Sequence, residues 1–204
     1  MCKICNLSHE FKSNSAIAFV CPECLCILHK GVTYNDNQPQ TAFKVVEDLS
    51  PFQLGSKMMF EGIEYEFIGR YQFVFSNCIK NIWFLNANEG RELYLINQLG
   101  FYALCTKYAG VFKKSDYNYT MGAEFNFSGI SPYYYLDCAL HNTVARMEGE
   151  LWGLKPNNHV FDAYDFSSNG GYYAFALQYG RMDNDLFTGK VFDFSNLKFL
   201  NTRF

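Results

Sequence analysis

Cys2-x2-Cys5 and Cys21-x2-Cys24 are the residues of this chain best placed to do chemistry together. Their spacing fits a four-cysteine zinc site. Zn2+ takes soft ligands at tetrahedral corners, and each C-x-x-C turn aims two thiolates at one ion while amides of the turn stabilise their charge. A site filled by four cysteines keeps no open position for water, so the expected Zn2+ is structural rather than catalytic. In such a turn the residue after the second cysteine tends towards positive φ, which Asn6 tolerates and Leu25 tolerates poorly. Cys26 and His29 are alternative ligands by proximity. Cys26 sits too close to Cys24 to share its turn and reads as a spare or buried thiol, and His29 reads as a surface residue.

A second group of candidates lies towards the C-terminus. Glu148 and Glu150 stand at i and i+2, on one face if the segment is a strand. Paired carboxylates can share a proton, hold a metal or do acid–base work. Arg70 and Arg146 each end a β-like run and could pair with Glu150 or meet an acidic ligand. The competing reading of all four is a solvated strand face with surface ion pairs worth little. Asp162 and Asp165 flank aromatics in the same region, where the structural reading is stronger. Cys138 and His141 are close in sequence, but Cys138 follows Tyr133-Tyr134-Tyr135-Leu136 and is expected in the core, so no catalytic triad is assigned. Cys78 and Cys105 read as ordinary strand thiols. The tyrosine run could stack bases, though core packing is favoured.

These residues need elements to position them. The chain has 204 residues, enough for one or two domains with cores of their own. Its 21 Phe, 15 Tyr and 2 Trp, with only 18% charged residues, exclude a disordered tail. The formal charge is −3 and the only adjacent basic pair is Lys113-Lys114, so nucleic acid is a disfavoured partner. No apolar stretch is long enough to span a bilayer, and no apolar signal region follows Met1. A reducing, cytoplasmic location is expected, where cysteines serve as ligands or core residues rather than disulfides.

Ser13-Asn14-Ser15 supplies a hairpin turn between the cysteine pairs, with Ala16–Val20 as the returning strand. Gly31–Gln40 is polar and loop-like. Ala42, Val45, Val46 and Leu49 recur at helical spacing, predicting a short linker helix over 41–49 that Ser50-Pro51 ends. After Leu54 the pattern becomes short apolar runs between Gly and Asn. They are 58–60, 63–69, 71–75, 82–85, 93–96, 101–105, 124–127, 133–138, 143–147, 159–165, 172–177 and 190–194. Many alternate at period two and are rich in aromatic and branched residues, which predicts an all-β barrel or sandwich. Leu54–Ile63 aligns with Met121–Ile130 at an offset of 67, matching Gly55/Gly122, Phe60/Phe127, Gly62/Gly129 and Ile63/Ile130. The expected fold is therefore mainly β: a zinc ribbon over 1–35, a linker with a short helix over 36–50, and two related barrel-like or sandwich halves over 51–115 and 116–204.

Several motifs carry a family resemblance along most of the chain. Beyond the ribbon, with Ser15 to Cys24 as its Ser-x4-Phe-x2-Cys segment, they include Ser50–Gly55, Phe60-x-Gly62-x2-Tyr65-x-Phe67-Ile68-Gly69-Arg70, Trp83–Leu85 through Gly90, Tyr94-Leu95 and Gly100. Glu148–Leu151, Asp165, Phe175-Ala176 and Gly189 follow in the C-terminal half. The chain resembles prokaryotic proteins that join a zinc ribbon to the β-rich family called domain of unknown function 4178. It departs from them at Lys80-Asn81-Ile82-Trp83, where members often read W-x-E-W. The resemblance implies a fold but no activity, with a link to envelope or stress functions. The function expected is that of a non-enzymatic zinc-ribbon binding or adaptor protein with a protein partner. The alternative is a ligand-binding or enzymatic β-barrel using Glu148, Glu150, Arg146 and Arg70.

Overall fold

Branched and aromatic residues at alternate positions favour extended backbone, because each face of a pleated strand then carries one kind of side chain. The computed structural model describes residues 2, 4–31, 40–75, 78–88, 90–109, 120–127, 133–152, 160–179 and 183–203. Residues 32–39 of the expected loop, Lys113-Lys114, Ser128–Ile130 of the repeat and His159 lie outside them. β1 (Ala18–Val20) and β2 (Ile27–His29) form an N-terminal hairpin. β3 (Lys57–Phe60), β4 (Ile63–Val74), β5 (Ile79–Asn86), β6 (Glu92–Gln98) and β7 (Phe101–Lys107) make a first meander. β8 (Glu124–Phe125), β9 (Tyr134–Leu151), β10 (Val160–Ser168), β11 (Tyr172–Tyr179) and β12 (Asp183–Val191) make a second, and β13 (Lys198–Leu200) returns to β3.

All these pairings are antiparallel. β7 pairs with β12 and β4 with β9, so β4–β7 and β9–β12 close into an eight-stranded barrel. At the β4–β9 seam Gly69 faces Gly149. A Cβ on Gly69 would lie 1.7 Å from the Glu150 carbonyl oxygen, and one on Gly149 would lie 2.3 Å from that of Ile68. Only glycine permits this approach, and Gly149 also takes φ +71°.

An eight-stranded barrel is just wide enough inside for side chains to fill it. Tyr71, Phe73, Phe84, Tyr94, Phe161, Phe175 and Phe187 belong to one buried cluster to which every barrel strand contributes. Trp152, just past β9, joins it, with ring centroids 4.4 Å from Tyr71, 5.0 Å from Tyr94 and 5.2 Å from Phe84. The Tyr71 hydroxyl donates to the Trp152 carbonyl. Ala16, Ala18, Val20 and Ile27 pack on the same cluster, so the N-terminal hairpin shares the barrel's core. A charged pair lies within this interior. Lys80 meets Asp165 and sits 4.8 Å from the Phe175 ring centroid, and the Tyr173 hydroxyl donates to Asp165. Two further clusters, around Phe52 and Trp83 and around Phe125 and Phe166, flank the barrel.

Some expected boundaries change. Runs 63–69 and 71–75 form one strand, β4, with a register shift between Phe67 and Gly69. Runs 133–138 and 143–147 belong to β9, which pairs with β1, β4, β8 and β10. The last strand is centred earlier than 190–194, because β12 takes its register from β11 along Asp183–Lys190. The helix expected over 41–49 is absent. Its backbone bonds to neighbours instead: Ala42 N–H to Leu25 O, Phe43 O from Met147 N–H, and both Val46 N–H and Val46 O to the Gln72 amide. Leu49, which a helix would have turned inward with Ala42, is 91% exposed. Segment 40–49 is thus a strap laid over the sheet. The one helical turn among the described residues is a 3-10 turn, Phe194–Asn196, capped by Asp193. No helix among them is long and apolar enough to cross a membrane.

Candidate metal centre

The two C-x-x-C turns are built alike. Cys2 N–H donates to Leu7 O and Asn6 N–H to Cys2 O, each at 2.8 Å; Cys21 N–H donates to Cys26 O and Leu25 N–H to Cys21 O, each at 2.9 Å. Asn6 and Leu25 take φ +60° and +61°, the conformation expected after the second cysteine of each turn. For Leu25 the left-handed backbone costs on the order of 1 kcal/mol, and its half-buried side chain is packed on the central cluster. The turns bring the Sγ atoms of Cys2, Cys5, Cys21 and Cys24 within 4.8 Å of one another, so the four could hold a metal ion. Cys2 and Cys24 lie 3.5 Å apart, and Cys5 and Cys21 3.3 Å.

This crowding has an electrostatic consequence. Burial pushes the Cys2 thiol up, but amides of Cys5 and Ile4 and the neighbouring thiols donate to its sulfur and hold it at about 6. Cys5 receives the Leu7 amide, yet Cys21, burial and the other thiols carry it up to about 12. Cys24 receives the Cys26 amide but likewise rises to about 12 through burial and its sulfur neighbours. Four sulfurs this close do not all ionise without a cation between them. Cys26 is outside the cluster; its thiol lies 3.9 Å from Cys24 O and burial raises it. His29, also outside, is lowered by burial.

The loop between the cysteine pairs is fastened to the barrel by carboxylates. Glu150, 1% exposed on β9, accepts from Lys12 N–H at 2.7 Å and Ser13 N–H at 3.1 Å, and His9 Nε2 lies 3.1 Å away. The His9 ring is stacked on Phe19 at 3.5 Å. Glu92 accepts from both Ser13 and Ser15 hydroxyls at 2.5 Å, and Lys12 pairs with Glu66 at 2.5 Å. Beside these contacts β1 adds to β9 through Ala18–Val20.

The other candidates separate. Glu148 lies 2.7 Å from Arg70 Nη2, and Arg70 is fully buried with its Cζ 4.5 Å from the Trp83 ring centroid. Burial lowers the Arg70 guanidinium, against the pull of Glu148 and Asp48. Asp48 gathers Arg70, Gln72, Asn81 and Arg203 at 2.8–3.3 Å. Arg146 donates to Lys44 O at 2.8 Å. Glu148, Glu150, Arg146 and Arg70 therefore do not converge; Glu148 and Arg70 pair, while Glu150 serves the metal module. Glu66, Glu92, Asp48 and His9 carry no motif that marks them, since their roles arise from contacts across tens of residues. Elsewhere, His141 lies 3.4 Å from Asp162 and makes no hydrogen bond with half-buried Cys138. Of the tyrosine run, strand alternation buries only Tyr134 and leaves Tyr133 and Tyr135 exposed. No family model, no curated relative and no solved structure matches the chain.

Proposed function

We propose that the chain is a non-enzymatic binding or adaptor protein whose N-terminal ribbon, over 1–35, is held by one structural Zn2+ on Cys2, Cys5, Cys21 and Cys24. The observation that carries this reading is the four-sulfur cluster fixed to the barrel through buried Glu150. Tetrahedral Zn2+ with Zn–S bonds of about 2.3 Å needs S–S edges of roughly 3.8 Å; three of the six sulfur separations are 3.3–3.8 Å and all lie within 4.8 Å. An all-cysteine donor set suits Zn2+ and leaves it closed to substrate. Bound zinc supplies the positive charge that lets all four thiolates coexist. The ribbon then acts as a rigid knob that a protein partner grips, in a reducing compartment such as the cytoplasm; the family resemblance adds the envelope or stress link.

We extend the reading to two related halves, 51–115 and 116–204. It is supported by Gly55 and Gly122, at φ +82° and +78°, each preceding a strand that starts two residues later and leads into a meander. We rank a ligand-binding or enzymatic barrel below the adaptor because the Glu150 carboxylate accepts from the chain's own Lys12 and Ser13 amides and Arg70 is fully buried between Asp48 and Glu148. Elemental analysis of the purified full-length chain is expected to give one zinc per chain, lost in the Cys21→Ser/Cys24→Ser double variant. Multiple turnovers in a metabolite screen by the zinc-loaded chain would overturn the non-enzymatic reading.

A further inference from the structure

The seam between β4 and β9 closes along only part of β9. β10 runs beside β9 from Tyr135 to Val144. On the opposite edge β8 pairs at Tyr134 and Tyr135, and Leu136 bonds to Gly122 and Ala123. β4 then takes over from Ala145 to Gly149. Among the described residues nothing pairs with 137–144 on that edge. An exposed edge of this kind presents backbone donors and acceptors that a further strand can satisfy. The gap is about 25 Å long at roughly 3.3 Å per residue. Both strands that bound it are antiparallel to β9, so they define the direction of an added strand, which would have to follow two bulges of β9, between Leu136 and Cys138 and between Leu140 and Thr143.

Side chains beside the gap have the character of a peptide groove. A concavity of about 630 Å³ is lined by Phe43 of the strap, Val74 and Phe75 at the end of β4, and Leu140 and Val144 of β9. Phe43, Val74 and Val144 are 50%, 42% and 45% exposed, although each is apolar. Thr143 completes the lining with two basic residues, His141 and Arg146, and no acid faces the groove from it. His141 has Asp162 beside it, whereas the Arg146 contact is to a neutral carbonyl, Lys44 O. The groove thus retains the uncompensated positive charge of Arg146, next to apolar surface and an open strand edge.

We infer that the open edge of β9 over 137–144 binds an extended segment of a partner polypeptide as an added antiparallel strand, with apolar side chains in the groove and a carboxylate at Arg146. Backbone hydrogen bonds supply the affinity in this recognition mode, while alternate side chains supply the specificity. The inference rests on the reading of the chain as a binding protein and names the chemistry of its partner. It places a docking surface on the barrel, separate from the cysteine ribbon.

Short synthetic peptides of alternating valine and glutamate, or valine and lysine, test this on the full-length zinc-loaded chain. Fluorescence anisotropy is expected to show the glutamate peptide binding at least about tenfold tighter than the lysine peptide. Amide exchange is expected to slow at 137–144, and Arg146→Glu to remove the preference for glutamate. Val144→Lys serves as a second variant and is expected to weaken both peptides. Equal binding of the two peptides, or protection outside β9, would overturn the inference. So would ultracentrifugation showing a dimer that itself protects 137–144, because the occupant would then be a second copy. A chain that keeps its zinc but shows no peptide protection rejects this docking surface alone.

Discussion

The barrel and the N-terminal module solve the problem of holding together in different ways. Eight strands surround a core of large aromatic rings, and apolar burial there scales with area. The module's own core is Cys2, Phe19, Cys21 and Cys26, three of them small thiol residues. So little apolar surface cannot offset the entropy of ordering a loop of this length. Its order comes from two hydrogen-bonded turns, a cluster of sulfurs suited to a metal and a carboxylate clasp, added to the share of the barrel's core that Ala16, Ala18, Val20 and Ile27 provide. The lesson is that one continuous sheet can join a part stabilised by burial to a part stabilised by ligation, with Glu150 at their junction.

Substitutions that strike one side and spare the other sharpen this contrast. The largest effect is expected inside the barrel. Trp152→Ala removes a ring packed against Tyr71, Phe84 and Tyr94, and should cost about 3–5 kcal/mol in global denaturant unfolding. If zinc content of the folded variant stays at one per chain, the metal site does not depend on the barrel's full stability. At the junction, Glu150→Ala leaves the Lys12 and Ser13 amides without their acceptor and should cost about 2–4 kcal/mol. Amide exchange at residues 9–15 should accelerate most. Uniform acceleration across the barrel would show that Glu150 is a core residue and not a clasp. The smallest effect belongs to the turn itself. Asn6→Ala places a less tolerant residue at φ +60°, costing about 1 kcal/mol. It should lower the chelator concentration at which the metal is lost without moving the barrel's unfolding midpoint.

Acidification offers a further contrast, with a defined sign. Metal binding requires thiolates, yet the sulfurs of Cys5 and Cys24 are pushed up to about 12 in the absence of a cation. Ligation therefore releases protons, and metal affinity falls by about tenfold per pH unit for each proton displaced. Competition with a chromophoric chelator across a pH series measures the slope. A flat profile would mean that the thiols are not the ligands.

Much of this contrast was legible in the residues. The cysteine spacing predicted the cluster, and the tendency of the residue after each C-x-x-C turn predicted left-handed backbone at Asn6 and Leu25. Period-two runs marked most strands, because alternation is a local property that each segment carries by itself. Closure of the barrel is different: the Gly69–Gly149 approach joins positions 80 residues apart, which no local pattern encodes. The strap over 40–49 shows helical spacing, but its backbone groups find tertiary partners that outcompete a helix. Glu150 stood out as one of a carboxylate pair, although its role depends on the amides of Lys12 and Ser13, distant in sequence. Lys80, at the position where the family resemblance suggested tryptophan, proves to be buried against Asp165.

Amide exchange of the full-length chain before and after zinc removal by chelation tests the central claim most directly. One zinc per chain is expected, with a rise in exchange after its removal that is concentrated in residues 2–31 and reaches β9 near Glu150, while β5, β6 and β11 keep their protection. A chain that binds no metal, or one whose N-terminal amides exchange equally slowly with and without it, would contradict the account.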